Sequence, residues 1–162
     1  MHIAMHAFGK ITLFFCAGAI YVAAHKTEIS DMRGLGRTMP FTMAAFFIGA
    51  LSIIGLPPTG GTWSKWYLML GSLEAGHAIL MGVLMVSSLL NIAYLLPLPI
   101  RGFFSAPEEG EAPAGIREAP LFCVVPLCFT AFACLVLFIY AGEVYDLLAP
   151  ITDFSLTEGG GS

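Results

Sequence analysis

Charge is what this sequence has least of: 11% of its 162 residues are Asp, Glu, Lys or Arg, against about 25% in ordinary soluble domains. With 57% hydrophobic residues and a mean hydropathy of +0.84, that shortage excludes a typical soluble domain and indicates a polytopic helical membrane protein. Basic residues are scarcer than acidic ones. Seven Lys and Arg against eleven Asp and Glu give a net charge of −4, which makes nucleic acid a poor partner. The four cysteines, Cys16, Cys123, Cys128 and Cys134, lie in apolar runs without metal-ligand spacing and read as small packing residues. No Walker, Rossmann, EF-hand, zinc or nucleophile-elbow pattern occurs, nor a ligand set for a nucleotide, haem or iron–sulfur cluster. The expectation is no cofactor, no metal and no catalytic chemistry carried by this chain itself. A cleavable signal peptide is not evident, because no basic stretch precedes the first apolar run and that run carries His and Lys within it.

What the chain does have is apolar runs. The first, 3–24, would span about 33 Å as a helix. A polar connection over 25–39 follows, and Pro40 sits where a helix should start. The run 41–56 is short and stops at Pro57-Pro58. The longest run, 76–100, includes Ser87, Ser88 and Asn91, which suit helix–helix contacts better than lipid, and Pro97 and Pro99 disturb its end. An acidic, Pro/Gly-rich stretch over 105–119 reads as a water-exposed loop. The last span, 121–141, is expected to kink at Pro126. Residues 143–150 suit one or two interfacial turns, and 151–162 are expected to form a disordered tail. The fold class is therefore all-α, a single transmembrane bundle over 1–150 with about five membrane elements.

The fifth element follows the break at 55–62. Gly55-Leu56-Pro57-Pro58-Thr59-Gly60-Gly61-Thr62 separates two apolar stretches, and Lys65 lies just past it between Trp63 and Trp66. Thr62 is a plausible N-cap, and 63–74 reads as a half-length helix of about 18 Å, too short to cross a bilayer alone. Non-helical backbone at membrane depth is tolerated inside protein or beside water.

Ionisable residues within such segments are functional candidates. His2, His6 and Lys10 are spaced four apart and share one helix face, with Lys10 about a third of the way into its span. They suit a water-assisted proton relay. The alternative is that the first turn frays at the surface while Lys10 pairs with an acid elsewhere in an assembly. Lys65 either snorkels within an interfacial Trp belt or occupies a hydrated cavity at the broken helix. Glu74 and His77 are accessory candidates: they mark a headgroup-level boundary between helices, or Glu74 pairs with a lysine.

Several motifs occur in one order. They are His6-Ala7-Phe8-Gly9-Lys10, Leu13-Phe14-Phe15-Cys16-Ala17-Gly18, Gly34-Leu35-Gly36, Met39-Pro40, the run from Gly49 to Pro58, Ser64-Lys65-Trp66, and Ser87-Ser88-Leu89-Leu90-Asn91. In this order and spacing the chain resembles the proton-translocating antiporter-like membrane subunits shared by respiratory complex I and the Mrp-type Na+/H+ antiporters, with a lean toward the D-type subunits of the Mrp assemblies. The resemblance implies that Lys10 matches a buried lysine of the central proton path, with His6 as its relay. It also implies that Lys65 matches the lysine of the discontinuous helix near the exit half-channel. Gly9 stands where a bulkier residue is expected, which would admit water or loosen packing. The family fold has about fourteen helices in two inverted repeats, of which this chain resembles the C-terminal third. The family topology would put 101–118 in the cytoplasm.

Three functions are therefore expected to compete. One is a fragment or split part of a proton-translocating subunit within a multisubunit cation/proton antiporter. The second is a membrane-arm component of a complex I-like NADH:quinone oxidoreductase or a hydrogenase, with redox chemistry on other subunits. The third is a truncated structural fragment that conducts nothing. The implied partners are the lipid bilayer and other membrane subunits, including one supplying the N-terminal helices that the chain lacks. The implied location is a bacterial inner membrane, crossed several times.

Overall fold

The computed structural model describes residues 1–105 and 115–158. All regular structure among them is helical: α1 (His2–Ala24), α2 (Leu35–Thr38), α3 (Pro40–Ile54), α4 (Gly60–Glu74), α5 (Ala78–Leu95), α6 (Pro97–Phe104), α7 (Leu121–Ile139) and α8 (Ala141–Glu158), with a 3-10 turn over Ile29–Met32. The chain is thus an all-α bundle. Three stretches are long and apolar enough to cross a membrane: α1, α7, and α5 with α6 taken together over Ala78–Phe104. α3 is apolar but only 15 residues long, about 22 Å. Pro97 lies just past the end of α5, which stops at Leu95. It takes the first position of α6, where a missing N–H is harmless, and helix continues to Phe104. Most of the predicted acidic loop, 106–114, lies outside the described residues.

The centre of the molecule is a three-helix packing of α1, α3 and α7, with α4 laid against α7 and α1. Cys16, Ala19 and Ile20 of α1 meet Met43, Phe46, Ala50 and Ile53 of α3 and Leu127 and Ala131 of α7. All four cysteines are free thiols, Cys16 and Cys134 fully buried, as packing residues would be. Glycines let α1 and α3 approach closely. A Cβ at Gly9 would fall 3.0 Å from Ile53 Cδ1, and one at Gly49 would fall 3.2 Å from Thr12 Cβ. Gly9 is therefore a packing position against α3.

The break is also organised differently from its sequence reading. Gly55 ends α3 in the left-handed region, at φ 88°, which favours glycine. The turn that follows is held by Leu56, whose carbonyl accepts from Thr59 Oγ1 at 2.8 Å. Helix resumes at Gly60, with Thr59 rather than Thr62 in the flanking position. Gly60 and Gly61 are buried helical residues instead of helix breakers. A Cβ at Gly60 would meet Leu137 Cβ at 3.0 Å, and one at Gly61 would lie 1.9 Å from the Ser52 carbonyl oxygen. The prolines interrupt the helix, and the glycines let the new helix press against α3 and α7.

At the other end of α3 a carboxylate arrives from far along the chain. Glu118 Oε1 accepts from Phe41 N at 2.7 Å and Thr42 N at 3.4 Å, and its Oε2 accepts from the Thr42 hydroxyl at 2.7 Å. Arg117 N also donates to Thr38 O at 2.8 Å. The N-terminal amides of a helix are unsatisfied by the helix itself and favour negative charge, so Glu118 caps α3 in trans. Beyond α7, helix α8 runs through residues 151–158, where the sequence suggests a disordered tail. Leu147, Leu148, Ile151 and Phe154 recur at helical spacing there, while 159–162 lie outside the described residues.

Gly61→Ala is expected to destabilise the protein by about 3 kcal/mol, because backbone must move to admit the Cβ. Gly82→Ala, where a Cβ meets nothing within 4 Å, should be neutral or stabilising by up to about 1 kcal/mol. Thermal unfolding in detergent compares the two. Glu118→Ala should cost about 1–2 kcal/mol by the same measurement, and Glu118→Gln less, since an acceptor for Phe41 N remains.

Candidate functional site

The site lies where α4 crosses α1, α3 and α5. Lys65 is in the second turn of α4. Its neighbours Trp63 and Trp66 point outward, 39% and 53% exposed, while Lys65 is half-buried and turns in. Its Nζ donates to the carbonyl oxygen of Ile54 at 2.8 Å and to Ser88 Oγ at 2.9 Å. Ile54 is the last residue of α3, so its carbonyl is one of the acceptors that a helix C-terminus leaves unpaired and that favour a cation. The lysine stem is confined as well: a Cβ at Gly55 would lie 2.7 Å from Lys65 Cδ. Ser88 Oγ donates its own proton back to Leu84 O at 3.0 Å, which leaves its lone pairs for the ammonium.

One residue earlier in α4, Ser64 makes a similar arrangement toward α1. Its hydroxyl donates to Gly61 O at 3.0 Å, and His2 Nδ1 lies 3.0 Å from Ser64 Oγ itself. With the serine proton committed to Gly61, the hydrogen bond requires Nδ1 of His2 to carry the proton it shares. His6 stacks on His2 with ring centroids 5.2 Å apart. Thr62 Oγ1, in the first turn of α4, is buried and makes no hydrogen bond among the described residues. A buried hydroxyl of this kind is a natural partner for an ordered water.

Lys10 is placed differently from the lysine in α4. It is exposed and lines an open groove of about 330 Å³ between α1, α3 and α5, with Phe14, Phe46, Ile53, Tyr94 and Leu95 among the walls. The structure therefore brings His2, His6 and Lys65 around α4, while Lys10 opens onto the neighbouring groove. Glu74 and His77 stand apart from both. They are exposed at the far end of α4 and the turn after it, where His77 N donates to Ser72 O at 2.9 Å.

Ser64, Ser88 and the Ile54 carbonyl are not among the candidates that the sequence nominates. Ser88 reads from sequence as a helix–helix contact. The available signal is a hydroxyl inside a strongly apolar run, but nothing local says that its partner lies 23 residues earlier. A backbone carbonyl has no sequence signature at all.

Known proteins resemble this chain closely enough to give its family. A sequence profile described as "NADH:quinone oxidoreductase/Mrp antiporter, TM" matches residues 1–91. The chain is 40% identical over 157 residues to the N subunit of the NADH-quinone oxidoreductase of Desulforudis audaxviator, covering 89% of this chain and 31% of that protein. It is 31% identical over 150 residues to the D component of the Na(+)/H(+) antiporter of Alkalihalophilus pseudofirmus, covering 90% of this chain and 30% of that protein. The chain thus spans about a third of the length of these curated relatives. Its fold matches a chain in the Mrp complex from Dietzia sp. with a TM-score of 0.77 at 22% identity, over 86% of this chain and 34% of that one. The apolar helices and the profile together make this an integral membrane protein, and the chain belongs to the NADH:quinone oxidoreductase/Mrp antiporter transmembrane family.

Proposed function

We propose that the chain supplies part of a proton path to a multisubunit cation/proton antiporter, with Lys65 as its central proton-carrying group. His2 and His6 pass protons along α1, and Lys10 continues the path on the groove side. The observation that carries this reading is the Lys65 ammonium, half-buried at the broken helix and held by one carbonyl and one hydroxyl. Such a lysine has acceptors for its charged form and no carboxylate hydrogen-bonded to it among the described residues. It can release a proton without first breaking an ion pair. Imidazoles and hydroxyls nearby give that proton somewhere to go, since each both donates and accepts. Glu74 and His77 carry no part in this path.

The chain corresponds to about a third of its relatives' length, so the remaining helices of the path are proposed to come from partner membrane protein in the same assembly. The proposed setting is the inner membrane of a bacterium. A second reading, a membrane arm of an NADH:quinone oxidoreductase, is favoured by the 40% identity to an N subunit of such an enzyme. Isolation of the intact assembly separates the two: flavin and iron–sulfur absorbance in the purified complex supports the second, and their absence with Na+-dependent proton flux supports the first.

Lys65→Ala and Lys10→Ala should each lower proton or cation flux on the order of tenfold or more in membrane vesicles, at wild-type levels of assembled protein. Undiminished flux in both variants overturns the proton path.

A further inference from the structure

α5 is the most exposed of the long helices: only 6% of its apolar window is buried. It packs chiefly on α3, α4 and α6. Ile79, Leu80, Val83, Val86, Leu89 and Leu90 all face outward, more than half exposed. Against that background Ser88 is anomalous. It is partly buried, and its hydroxyl reaches the lysine of another helix.

The hydrogen-bond bookkeeping explains what it does there. A serine in an apolar helix can satisfy itself by donating to the carbonyl one turn back, and Ser88 does so to Leu84 at 3.0 Å. The second bond, accepted from Lys65 at 2.9 Å, is therefore additional to its own needs. An ammonium has three N–H groups and a flexible four-carbon stem. The Ile54 carbonyl at 2.8 Å alone would leave it free to swing about that contact. Two acceptors on different helices fix it in the fork between the end of α3 and the middle of α5, with one N–H left over.

We propose that Ser88 is a positioning residue for Lys65, holding the ammonium at the α3 terminus and making the placement of that group depend on where α5 sits. This rests on the reading of Lys65 as the proton-carrying group. A displacement of α5 by about 1 Å stretches the bond past hydrogen-bonding distance, and Lys65 then has the Ile54 carbonyl alone. The outer face of α5 is open, more than half exposed at Ile79, Leu80, Val83, Val86, Leu89 and Leu90, and the helix meets the central core through Ile92 and Leu95 near its C-terminal end.

The test uses an isosteric pair, Ser88→Thr and Ser88→Val, in the assembled complex in membrane vesicles. Thr keeps the hydroxyl and Val replaces it with a methyl of the same shape. Flux per assembled protein should stay within about twofold of the unmodified protein for Thr. It should fall about tenfold for Val, the factor expected for losing one hydrogen bond to a charged group. Thermal unfolding should show Val about 3 °C below Thr, and this difference should vanish when both are made in a Lys65→Met background. Equal flux for Thr and Val overturns the proposal, as does a difference in unfolding that persists without Lys65. If instead Lys65→Ala leaves flux undiminished, it is the proton-path reading that fails.

Discussion

The hydrogen bond from Lys65 to the Ile54 carbonyl is the contact around which the rest of this structure is arranged. α3 stops after 15 residues inside an apolar bundle, and its terminal carbonyls have no partner within the helix. Unpaired carbonyls in such surroundings are costly, and so is a desolvated ammonium; joining them offsets both. The neighbouring sequence then follows. Gly55 takes a left-handed conformation that favours glycine, with the lysine stem against it, and Gly61 is small where α4 presses on the backbone of α3 at Ser52.

The two membrane lysines are not equivalent. Lys65 is held on two sides, whereas Lys10 stands in an open and mostly apolar groove. A held cation has a defined place and can be approached by a second group along its remaining N–H. An open one takes its surroundings from whatever fills the groove, which among the described residues is nothing. The two lysines thus differ in how much of their surroundings the described residues supply.

Local patterns in the sequence reach the helices and stop short of the contacts. Composition and apolar runs suffice for an all-helical membrane bundle, because length and hydropathy are properties of contiguous residues. Pro40 and Pro57-Pro58 are legible because a ring without an N–H acts where it stands. Gly60 and Gly61 mislead for the same reason in reverse: glycine weakens a helix locally, but here its small size serves α3 and α7, which lie elsewhere in the chain. The order of motifs singles out Lys65. It does not supply Ser88 or Glu118, whose roles depend on partners 23 and 76 or more residues away.

In mechanical terms α3 is a short strut pinned at both ends. Glu118, from the segment leading into α7, grips its first amides, and Lys65 grips its last carbonyl. A helix of about 22 Å with close neighbours along its length does not bend appreciably. It passes axial displacement from one end to the other almost undiminished. A pull of about 1 Å on the segment before α7 would thus arrive at Ile54 as a lengthened bond to Lys65, 15 residues of helix away. The stretch that enters α7 is in this sense a handle on the lysine.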